Sequence, residues 1–416
     1  MAFAFYSPIT INAGQVPSPQ TNFTVTVKVT DARLKVVGSG GHVQNSTGFD
    51  IRPYSDTGLT TPLAYELENY VSGTGELEMH VIISSLVSGM VFYLAYGDAS
   101  LNTNGSSTGA WDANFKGVWH MGDNAASTVI KESTVTGANG VNVANTSTKT
   151  AVGQIGNALT YNGTTDGSSA AINLSASPIV TISFWMNWTT NGDNDHLAFE
   201  YTPNYNSNNG ILVDWNNSGT TGTFSFGSSS INGAAKWSDR FTRPSAGVWH
   251  LVHLVINNTT PVNKAYLDGT LQTLTAVTHT SSPNNNYLNS SLFFMSRNKT
   301  SLFAAGVLDE VRISTSERAQ DWITTEFNNQ NAPGSFETLG TEVPVGGVVT
   351  STGGGVLLDL GKRRKTPREL SHVRVDRASG GEILLPAGTR ATADLIERSR
   401  RIDDDEHALL LILTEL

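Results

Sequence analysis

Carboxylate pairs are the residues that first suggest acid–base chemistry in this sequence. Glu76 and Glu78 share one face of a predicted strand, with no third acid after them, which indicates a solvated strand face. Asp309 and Glu310 are adjacent, and adjacent strand residues point to opposite faces of a sheet. A retaining glycoside hydrolase needs two carboxyl groups about 5–5.5 Å apart on one surface. We therefore expect no catalytic site and no enzymatic activity.

Histidines are the second candidate group, because the chain has no cysteine. The absence of thiols excludes thiolate zinc sites, disulfides and cysteine nucleophiles. His120, His250 and His253 raise the hypothesis of a zinc site. His250 and His253 are three residues apart on one predicted strand, so their side chains lie on opposite faces and would not converge on one ion. We therefore expect strand histidines satisfied by local partners. The sequence also lacks a phosphate-binding glycine loop, a Gly-x-Ser-x-Gly elbow and a His-Glu-x-x-His motif.

The charge balance narrows the classes of partner. The 416 residues carry a net charge of −10, and only 15% of them are charged. This argues against a protein that follows nucleic-acid phosphates and against one that binds anionic membranes. No run of about 18 apolar residues predicts a membrane span. The N-terminal MAFAFYSPITINAGQ has neither a basic segment nor a long apolar segment, so we expect no signal peptide and synthesis in a cytoplasm.

The elements that must position these residues are strands. FTVTVKV at 23–29 alternates, which predicts that its apolar residues face a core and that Thr24, Thr26 and Lys28 face water. WHLVHLVI at 249–256 is apolar on both faces apart from its histidines, which predicts a central strand. Asp268-Gly269 between apolar runs predicts a hairpin with a type I′ turn. Frequent turn signals between short strands favour an all-β fold of sandwiches.

Composition shifts divide the chain into segments. The predicted divisions are an N-terminal β-sandwich domain at 1–105, a larger sandwich at 113–340, a Gly-rich linker at 341–355 and a small C-terminal α+β assembly element at 356–416. A helix is predicted near the end of the larger sandwich, since Ala319, Trp322, Ile323 and Phe327 follow helical spacing. Ser316 precedes it as an expected cap.

Six segments of the larger sandwich resemble, in order, the signatures of the laminin-G-like, concanavalin A-like jelly roll. They are FKGVWHM at 115–121, QIGNALTYNG at 154–163, ISFWM at 182–186, GVWHLV at 247–252, AYLDG at 265–269 and GVLDEVRIS at 306–314. The resemblance implies a jelly roll made of two packed sheets. In this reading, Trp185 lies on the outer face of its strand, where a helix or loop covers it.

The first domain resembles an uncharacterised β-domain that commonly precedes such jelly rolls. The segments that carry this resemblance are GFDIR at 48–52, PLAYE at 62–66 and FYLAYGD at 92–98. The pairing occurs in phage virion proteins and in bacterial surface proteins.

A calcium site is one alternative that the resemblance implies. No cofactor is required, but the family sometimes binds calcium near the loops that contain Asp123 and Asp166. Asp309 shares strand parity with Val307 and Val311 and is expected to point inward, where a buried carboxylate needs donors or a metal. Asp123, Asp166 and Asp309 are therefore the candidate ligands. The other interpretation of Asp309 is a structural acceptor for loop amides.

A carbohydrate groove would combine exposed aromatic rings with amide hydrogen bonds. Tyr201, Tyr205, Trp215 and Trp237 lie in segments rich in Asn, Gly and Ser, and such loops often carry function. These four rings are the candidate carbohydrate-binding residues. The alternative is that they cap the sandwich.

The sequence and the resemblance together predict a non-enzymatic phage virion structural protein: a capsid decoration, fibre or tail component whose jelly roll binds host-surface glycans. Its expected partners are other virion proteins and further copies of itself, assembled through the C-terminal element. We expect neither nucleic-acid binding nor membrane insertion. The alternatives are a carbohydrate-binding or adhesion module on a bacterial surface and a divergent glycanase.

Overall fold

The structure is a computed structural model. It describes residues 3–189, 196–205, 209–216, 222–230, 233–260, 262–283, 286–345, 374–376 and 382–384. The chain divides into two compact units, Met1–Glu342 and Val343–Leu416. The fold is mostly β, as the sequence predicts, and short 3₁₀ helices lie at Ala32–Leu34, Val37–Ser39, Thr108–Ala110 and Thr146–Thr148.

The first strands of the chain build an N-terminal β-sandwich. They are β1 Phe5–Ile11, β2 Gln20–Thr30, β3 Arg52–Tyr54, β4 Tyr65–Val71, β5 Glu76–Leu86 and β6 Val91–Tyr96. One sheet has the order β2-β5-β4. Strand β24 (Glu337–Leu339) returns from far downstream and pairs antiparallel with β1 of the other sheet, which has the order β24-β1-β6-β3.

Strand β2 confirms one half of its predicted pattern and corrects the other. Phe23, Val25 and Val27 are buried in the core of the N-terminal sandwich. Thr24 and Thr26 are buried as well, at 4% and 0% exposure, so the expectation that they face water is wrong. Thr24 Oγ1 donates to the Ala110 carbonyl at 2.6 Å, and Thr26 Oγ1 lies 3.1 Å from His80 Nδ1, so partners from distant segments bury a face that two-residue alternation predicts to be solvated.

The jelly roll follows as two antiparallel sheets. Its strands are β7 Phe115–Trp119, β8 Val129–Ile130, β9 Gly140–Asn142, β10 Thr150–Val152, β11 Asn157–Asn162, β12 Ser168–Asn173, β13 Ile179–Trp188, β14 Leu197–Tyr201, β15 Ile211–Asp214, β16 Thr223–Ser229, β17 Lys236–Thr242, β18 His250–Asn257, β19 Lys264–Leu267, β20 Thr270–Leu271, β21 Thr275–His279, β22 Asn289–Phe294 and β23 Ala305–Ser314. One sheet runs β10-β11-β23-β13-β18-β19-β20, with β7 also beside β23. The other runs β21-β17-β16-β15-β14-β22-β12-β9-β8.

Two local predictions in the jelly roll are confirmed. Strand β18 pairs with β13 on one side and β19 on the other, so it is central and buried on both faces. Asp268 and Gly269 both have positive φ, 51° and 74°, as a type I′ turn requires.

Helix α1 (Gln320–Asn331) connects the two sandwiches. Trp322 joins the core of the N-terminal sandwich, whereas Ile323 packs on Val255 and Tyr266 of the jelly roll. The helix is confirmed, but it begins after Ala319 without a side-chain cap, so the expected cap at Ser316 is wrong. A short helix α2 (Pro333–Phe336) then leads into β24.

Asn329 of α1 covers the open edge of β2. The backbone N–H of Thr26 donates to Asn329 Oδ1 at 2.7 Å, and Asn329 Nδ2 donates to the Thr26 carbonyl at 2.8 Å. Because β2 is the last strand of its sheet, these two bonds occupy backbone groups that would otherwise remain unpaired. The helix therefore completes the edge of one sandwich while lying on the other.

The second unit contains strands β25 Val343–Pro344, β26 Arg374–Asp376 and β27 Glu382–Leu384, and β26 pairs antiparallel with β27. Most of the predicted linker and of the predicted C-terminal element lies outside the described residues. The domain boundaries at 105, 113 and 340 stay predictions. Within the described part of the chain, no helix combines the length and the apolar character needed to cross a bilayer.

We predict that Glu337→Gln stabilises the protein at neutral pH. Glu337 is 2% exposed, and burial raises its pKa well above the ordinary value even though it accepts the Lys28 N–H. Between the unfolded and the raised folded pKa the carboxyl group is protonated in the folded chain but ionised in the unfolded chain, so the wild type loses stability as pH rises above the unfolded pKa. Glutamine removes this cost. Urea unfolding should show a gain of about 1 kcal/mol or more at pH 7 that disappears near pH 4.

Candidate functional site

A bulge in strand β4 positions the first functional side chain. Leu67 pairs with Met79 and Asn69 pairs with Glu78, so Glu68 is an extra residue between them. Bulges re-aim side chains and are frequent beside functional sites. Here the bulge directs the Glu68 carboxylate to His80 on the adjacent strand β5, where Glu68 Oε2 and His80 Nε2 are 2.7 Å apart.

A second bulge lies in β23 of the jelly roll. Ser183 pairs with Arg312 and Trp185 pairs with Asp309, so two residues of β23 face a single residue of β13. Glu310 in this bulge has a φ of 48°, a left-handed conformation that a non-glycine residue adopts only when its surroundings impose it. The Glu310 carboxylate meets His120, with Oε1 and Nδ1 2.6 Å apart.

The bulge in β23 changes which side chains of this strand share a face. Leu308, Val311 and Ile313 belong to the jelly-roll core. Side chains of one face normally alternate, so Leu308 and Val311 can share the core only because of the extra residue between them. Asp309 therefore shares a face with Val307, as expected, but the expectation that Val311 lies on that face is wrong.

The two bulges bring four side chains together between the sandwiches. Glu68, His80, His120 and Glu310 each offer one nitrogen or oxygen atom, and these atoms all lie within 4.8 Å of one another. We call this group the histidine–carboxylate cluster. Two of its members come from the N-terminal sandwich and two from the jelly roll, and the imidazole rings stack at 4.3 Å. His80 and Glu310 are fully buried, and the other two side chains are about 10% exposed.

Each histidine of the cluster has an outer partner on its second nitrogen. His80 Nδ1 lies 3.1 Å from Thr26 Oγ1. His120 Nε2 lies 3.4 Å from Glu66 Oε2. A carboxylate only accepts, so His120 makes this contact with its hydrogen on Nε2. The indole N–H of Trp111 donates to Glu66 Oε2 at 2.8 Å and fixes this carboxylate.

Opposite charges stabilise the ionised carboxylates at this position. Burial alone would raise the pKa of Glu66, but the charge of His120 and its hydrogen bond lower that pKa to about 2. Burial likewise opposes ionisation of Glu310, and the charges of His120 and Arg312 lower its pKa. Burial would lower the pKa of His120, but Glu310, Glu68 and Glu66 raise it well above the ordinary value.

A polar cleft opens beside the cluster. We define it by its lining residues, which are Glu66, Leu67, Glu68, Asn69, Glu78, Asn104, Ser106, His120, Gly122, Asp123, Asn124, Ala125, Lys131, Ser133 and Asn157. Its cavity volume is about 400 Å³, at the lower end of the usual range for small-ligand sites. Both sandwiches contribute to its walls. Several lining groups are already oriented, since Ser133 Oγ donates to Glu66 and the Lys131 N–H donates to Asp123.

A buried ion network extends from the cluster to helix α1. Arg312 donates to Glu310 through Nη2 and to Glu326 through Nη1, the second bond at 2.9 Å. Glu326 also contacts His253 Nε2 at 2.9 Å. His253 therefore has a local partner on Nε2, although its Nδ1 is buried without one, and His250 has its own partner, since its Nδ1 lies 2.7 Å from Asp268. The helix also covers Trp185, as expected.

Asp309 is a structural acceptor. Its Oδ2 accepts the backbone N–H groups of Gln154 and Ile155 at 2.7 and 2.9 Å, so it holds the Gly153–Gly156 turn. This is one of the two interpretations given for Asp309. Burial and the neighbouring charge of Glu310 raise its pKa well above the ordinary value.

The three candidate calcium ligands do not come together. Asp166 pairs with Lys149 Nζ at 2.5 Å, and Asp123 accepts the Lys131 N–H at 2.9 Å. Within the described ranges, the group of metal-ligating side chains that converge is the histidine–carboxylate cluster, which contains none of these aspartates. The expectation that Asp123, Asp166 and Asp309 form one site is therefore wrong, because each carboxylate serves a different loop.

The candidate sugar-binding rings lie mostly inside the jelly roll. Tyr201 and Trp215 are fully buried in its core, and Tyr205 is 5% exposed. Trp237 is half-buried and stacks on His279 with ring centroids 3.7 Å apart. The first three rings would have to leave the interior to stack on a sugar, so the expectation that they are exposed is wrong. The alternative, that these rings cap the sandwich, assigned them a structural role, and the structure places Tyr201 and Trp215 deeper, in the core itself.

Sequence reasoning missed Glu68 and His80 and considered His120 without its partners. The face to which Glu68 points does not follow from alternation, because Glu68 is the extra residue of a bulge. His80 looks like an ordinary residue of an alternating strand. Glu78 was read as solvated, but it is 1% exposed and pairs with Lys28 Nζ at 2.9 Å. The available signal was the high density of acids around a single histidine at 65–80, a weak signal without the strand pairing.

Comparison with known families identifies part of the jelly roll. Residues 162–324 match the model described as the concanavalin A-like lectin/glucanases superfamily. This segment is a concanavalin A-like lectin/glucanase domain. The resemblance inferred from the six signatures is thereby confirmed over these residues. Comparison with curated proteins gives no match.

Solved structures with a similar arrangement include the receptor-binding domain of botulinum neurotoxin C/D mosaic serotype, at 14% identity and a TM-score of 0.40 over 52% of this chain and 51% of that chain. The ligand-binding domain of serotype D in complex with N-acetylneuraminic acid has 14% identity and a TM-score of 0.39, with the same coverage. The serotype G binding domain has 14% identity and a TM-score of 0.39, over 51% and 50%. The chain spans about half the length of these proteins.

We predict that Glu326 makes stability acid-sensitive. Burial would raise its pKa, but the charges of His253 and Arg312 lower it to about 2. A lowered folded pKa contributes stability above the unfolded value of about 4.5, and this stability is lost as pH falls toward 2. Glu326→Gln should cost about 3 kcal/mol at neutral pH, and this difference should shrink across that window.

Equilibrium unfolding at several pH values measures this difference. The exposed pair Lys264–Glu317 offers a control, because Glu317→Gln should cost under about 1 kcal/mol. A Glu326→Gln difference that stays constant from pH 5 to pH 2 would contradict the assignment.

Proposed function

We propose that the chain is a non-enzymatic glycan-binding protein that holds its ligand in the polar cleft. The cleft carries this proposal, because it offers fixed donors and acceptors in a cavity large enough for about one or two sugar rings. Membership of residues 162–324 in a superfamily of lectins and glucanases supports a carbohydrate as the ligand class.

The side chains of the cleft suit sugar hydroxyl groups. Asn69, Asn124 and Asn157 each carry both a donor and an acceptor, as does each hydroxyl group of a sugar. Ser106 is held by the Leu67 N–H at 2.8 Å, which orients the hydroxyl before any ligand arrives. Groups held in place in this way reduce the ordering cost of binding.

The carboxylates of the cleft favour binding over hydrolysis. A glycoside hydrolase needs a carboxyl group with a raised pKa that can donate a proton to the leaving oxygen. The pKa of Glu66 is instead lowered to about 2, so this carboxylate is held as an acceptor and supplies no proton at neutral pH.

The negative charge of the cleft favours sugars that carry no carboxylate. Glu66, Glu68, Glu78 and Asp123 line it together with a single lysine, Lys131. A carboxylated sugar would meet net negative charge, and like charges in a partly desolvated site repel. Neutral oligosaccharides are therefore the proposed ligands.

We expect the double variant Asn69→Ala/Asn157→Ala to bind neutral glycans at least about tenfold more weakly, since each lost hydrogen bond in a cleft contributes about 1 kcal/mol. A panel of neutral and acidic glycans identifies the ligand, and calorimetry measures its affinity. Asn289→Ala is the matched control, because Asn289 is exposed on β22 and does not line the cleft. Equal binding by the double variant and the control would exclude the cleft as the site.

We further propose that the protein is a structural component of a phage virion. The pairing of its two β-domains resembles phage virion proteins, and the salt-rich C-terminal segment suits an assembly element. Mass spectrometry of purified virions should detect the chain. The full chain should form a defined oligomer in solution, whereas residues 1–342 should be monomeric. Absence from virions would contradict the virion assignment and favour the bacterial surface module.

A further inference from the structure

We propose that the histidine–carboxylate cluster binds a zinc ion that joins the N-terminal sandwich to the jelly roll. Two imidazole nitrogens and two carboxylate oxygens are ligand types that zinc accepts, with bonds of about 2.0–2.2 Å. The four donor atoms lie within 4.8 Å of one another. In a tetrahedral zinc site with such bonds the donor atoms are about 3.4 Å apart, so side-chain rotations that draw the four atoms closer would bring them all into contact with one ion.

The outer partners of the histidines prepare them as ligands. Metal-binding histidines usually donate their second N–H to a carboxylate, a hydroxyl or a carbonyl group, which fixes the ring and its free lone pair. Glu66 accepts from His120 Nε2, so His120 Nδ1, whose hydrogen faces Glu310, is the nitrogen that would bind the ion and release its proton to solvent. Thr26 lies at His80 Nδ1, and this leaves His80 Nε2 for the ion. Both remaining nitrogens are the atoms that meet the carboxylates of the cluster.

The local charge balance favours a divalent cation. Glu66, Glu68 and Glu310 converge on the two rings, while Arg312 is the guanidinium that contacts Glu310 and is itself shared with Glu326. Three carboxylates thus meet two imidazole rings and a shared guanidinium in a buried place, where negative charge is costly unless cations compensate it. A zinc ion supplies two positive charges at the point where the carboxylates meet.

Backbone geometry also supports the site. Glu68 and Glu310, the two carboxylate ligands, are the residues at the two β-bulges, one in each sandwich. A regular strand would have turned each of them away from the histidines. Because the ligands are nearly enclosed, with four protein donors, the site has the character of a structural zinc site.

The test uses the full, untagged chain after chelator treatment and dialysis. Calorimetric titration with zinc should give one equivalent per chain, and zinc should raise the melting temperature. His80→Ala and His120→Ala should each abolish that binding. His279→Ala should bind zinc as the wild type does, because His279 pairs with Asp239 on a different sheet. Binding that is absent in the wild type, or unchanged in both cluster variants, would overturn the proposal.

Glu66→Gln separates loss of the metal from loss of the fold. Glu66 is not a ligand, so this variant should fold and still bind one zinc, with an affinity reduced by roughly 10–100-fold. Circular dichroism checks the fold of every variant. Unchanged affinity in Glu66→Gln would contradict the role of the outer carboxylate, and calcium raising the melting temperature as much as zinc would contradict the choice of ion. Neither readout depends on glycan binding.

Discussion

The buried guanidinium of Arg312 is the interaction on which the arrangement of the first unit depends. A buried charge is tolerated only when it is paired, and removing one partner leaves an uncompensated charge that costs several kcal/mol. Arg312 pairs with Glu310 on its own strand and with Glu326 on helix α1. Its guanidinium also lies 4.9 Å from the ring centre of Trp111, in the segment between the sandwiches. The N-terminal sandwich, the jelly roll and the helix thus meet around one cation.

Shared elements explain why the two sandwiches form one compact unit. Strand β7 pairs within the jelly roll and places Trp119 in its core, yet Phe115 and Val118 belong to the core of the N-terminal sandwich. Helix α1 divides its apolar side chains in the same way. The polar cleft lies where these shared elements leave a gap, so its shape depends on both sandwiches at once.

The sequence was sufficient for what depends on local pattern and insufficient for what depends on distant pairing. Apolar patterning predicted strand β18, turn chemistry predicted the Asp268-Gly269 turn, and helical spacing predicted α1, whereas the superfamily of the jelly roll came from the resemblance of six segments to family signatures. The cluster could not be predicted, since Glu68 and Glu310 sit in bulges that break alternation and since His80 meets His120 only across two sandwiches. Burial of Thr26 and of the ring of Trp215 was equally hidden, because it depends on which element covers each face.

The central claim is that the buried charges make the N-terminal sandwich and the jelly roll unfold together. Hydrogen exchange measured by mass spectrometry at increasing denaturant tests it directly, by comparing peptides from β5 with peptides from β13. The account predicts that both strands lose protection at the same denaturant concentration, with the same opening free energy. Exchange of β5 at clearly lower denaturant than β13 would show two independent domains and would contradict it.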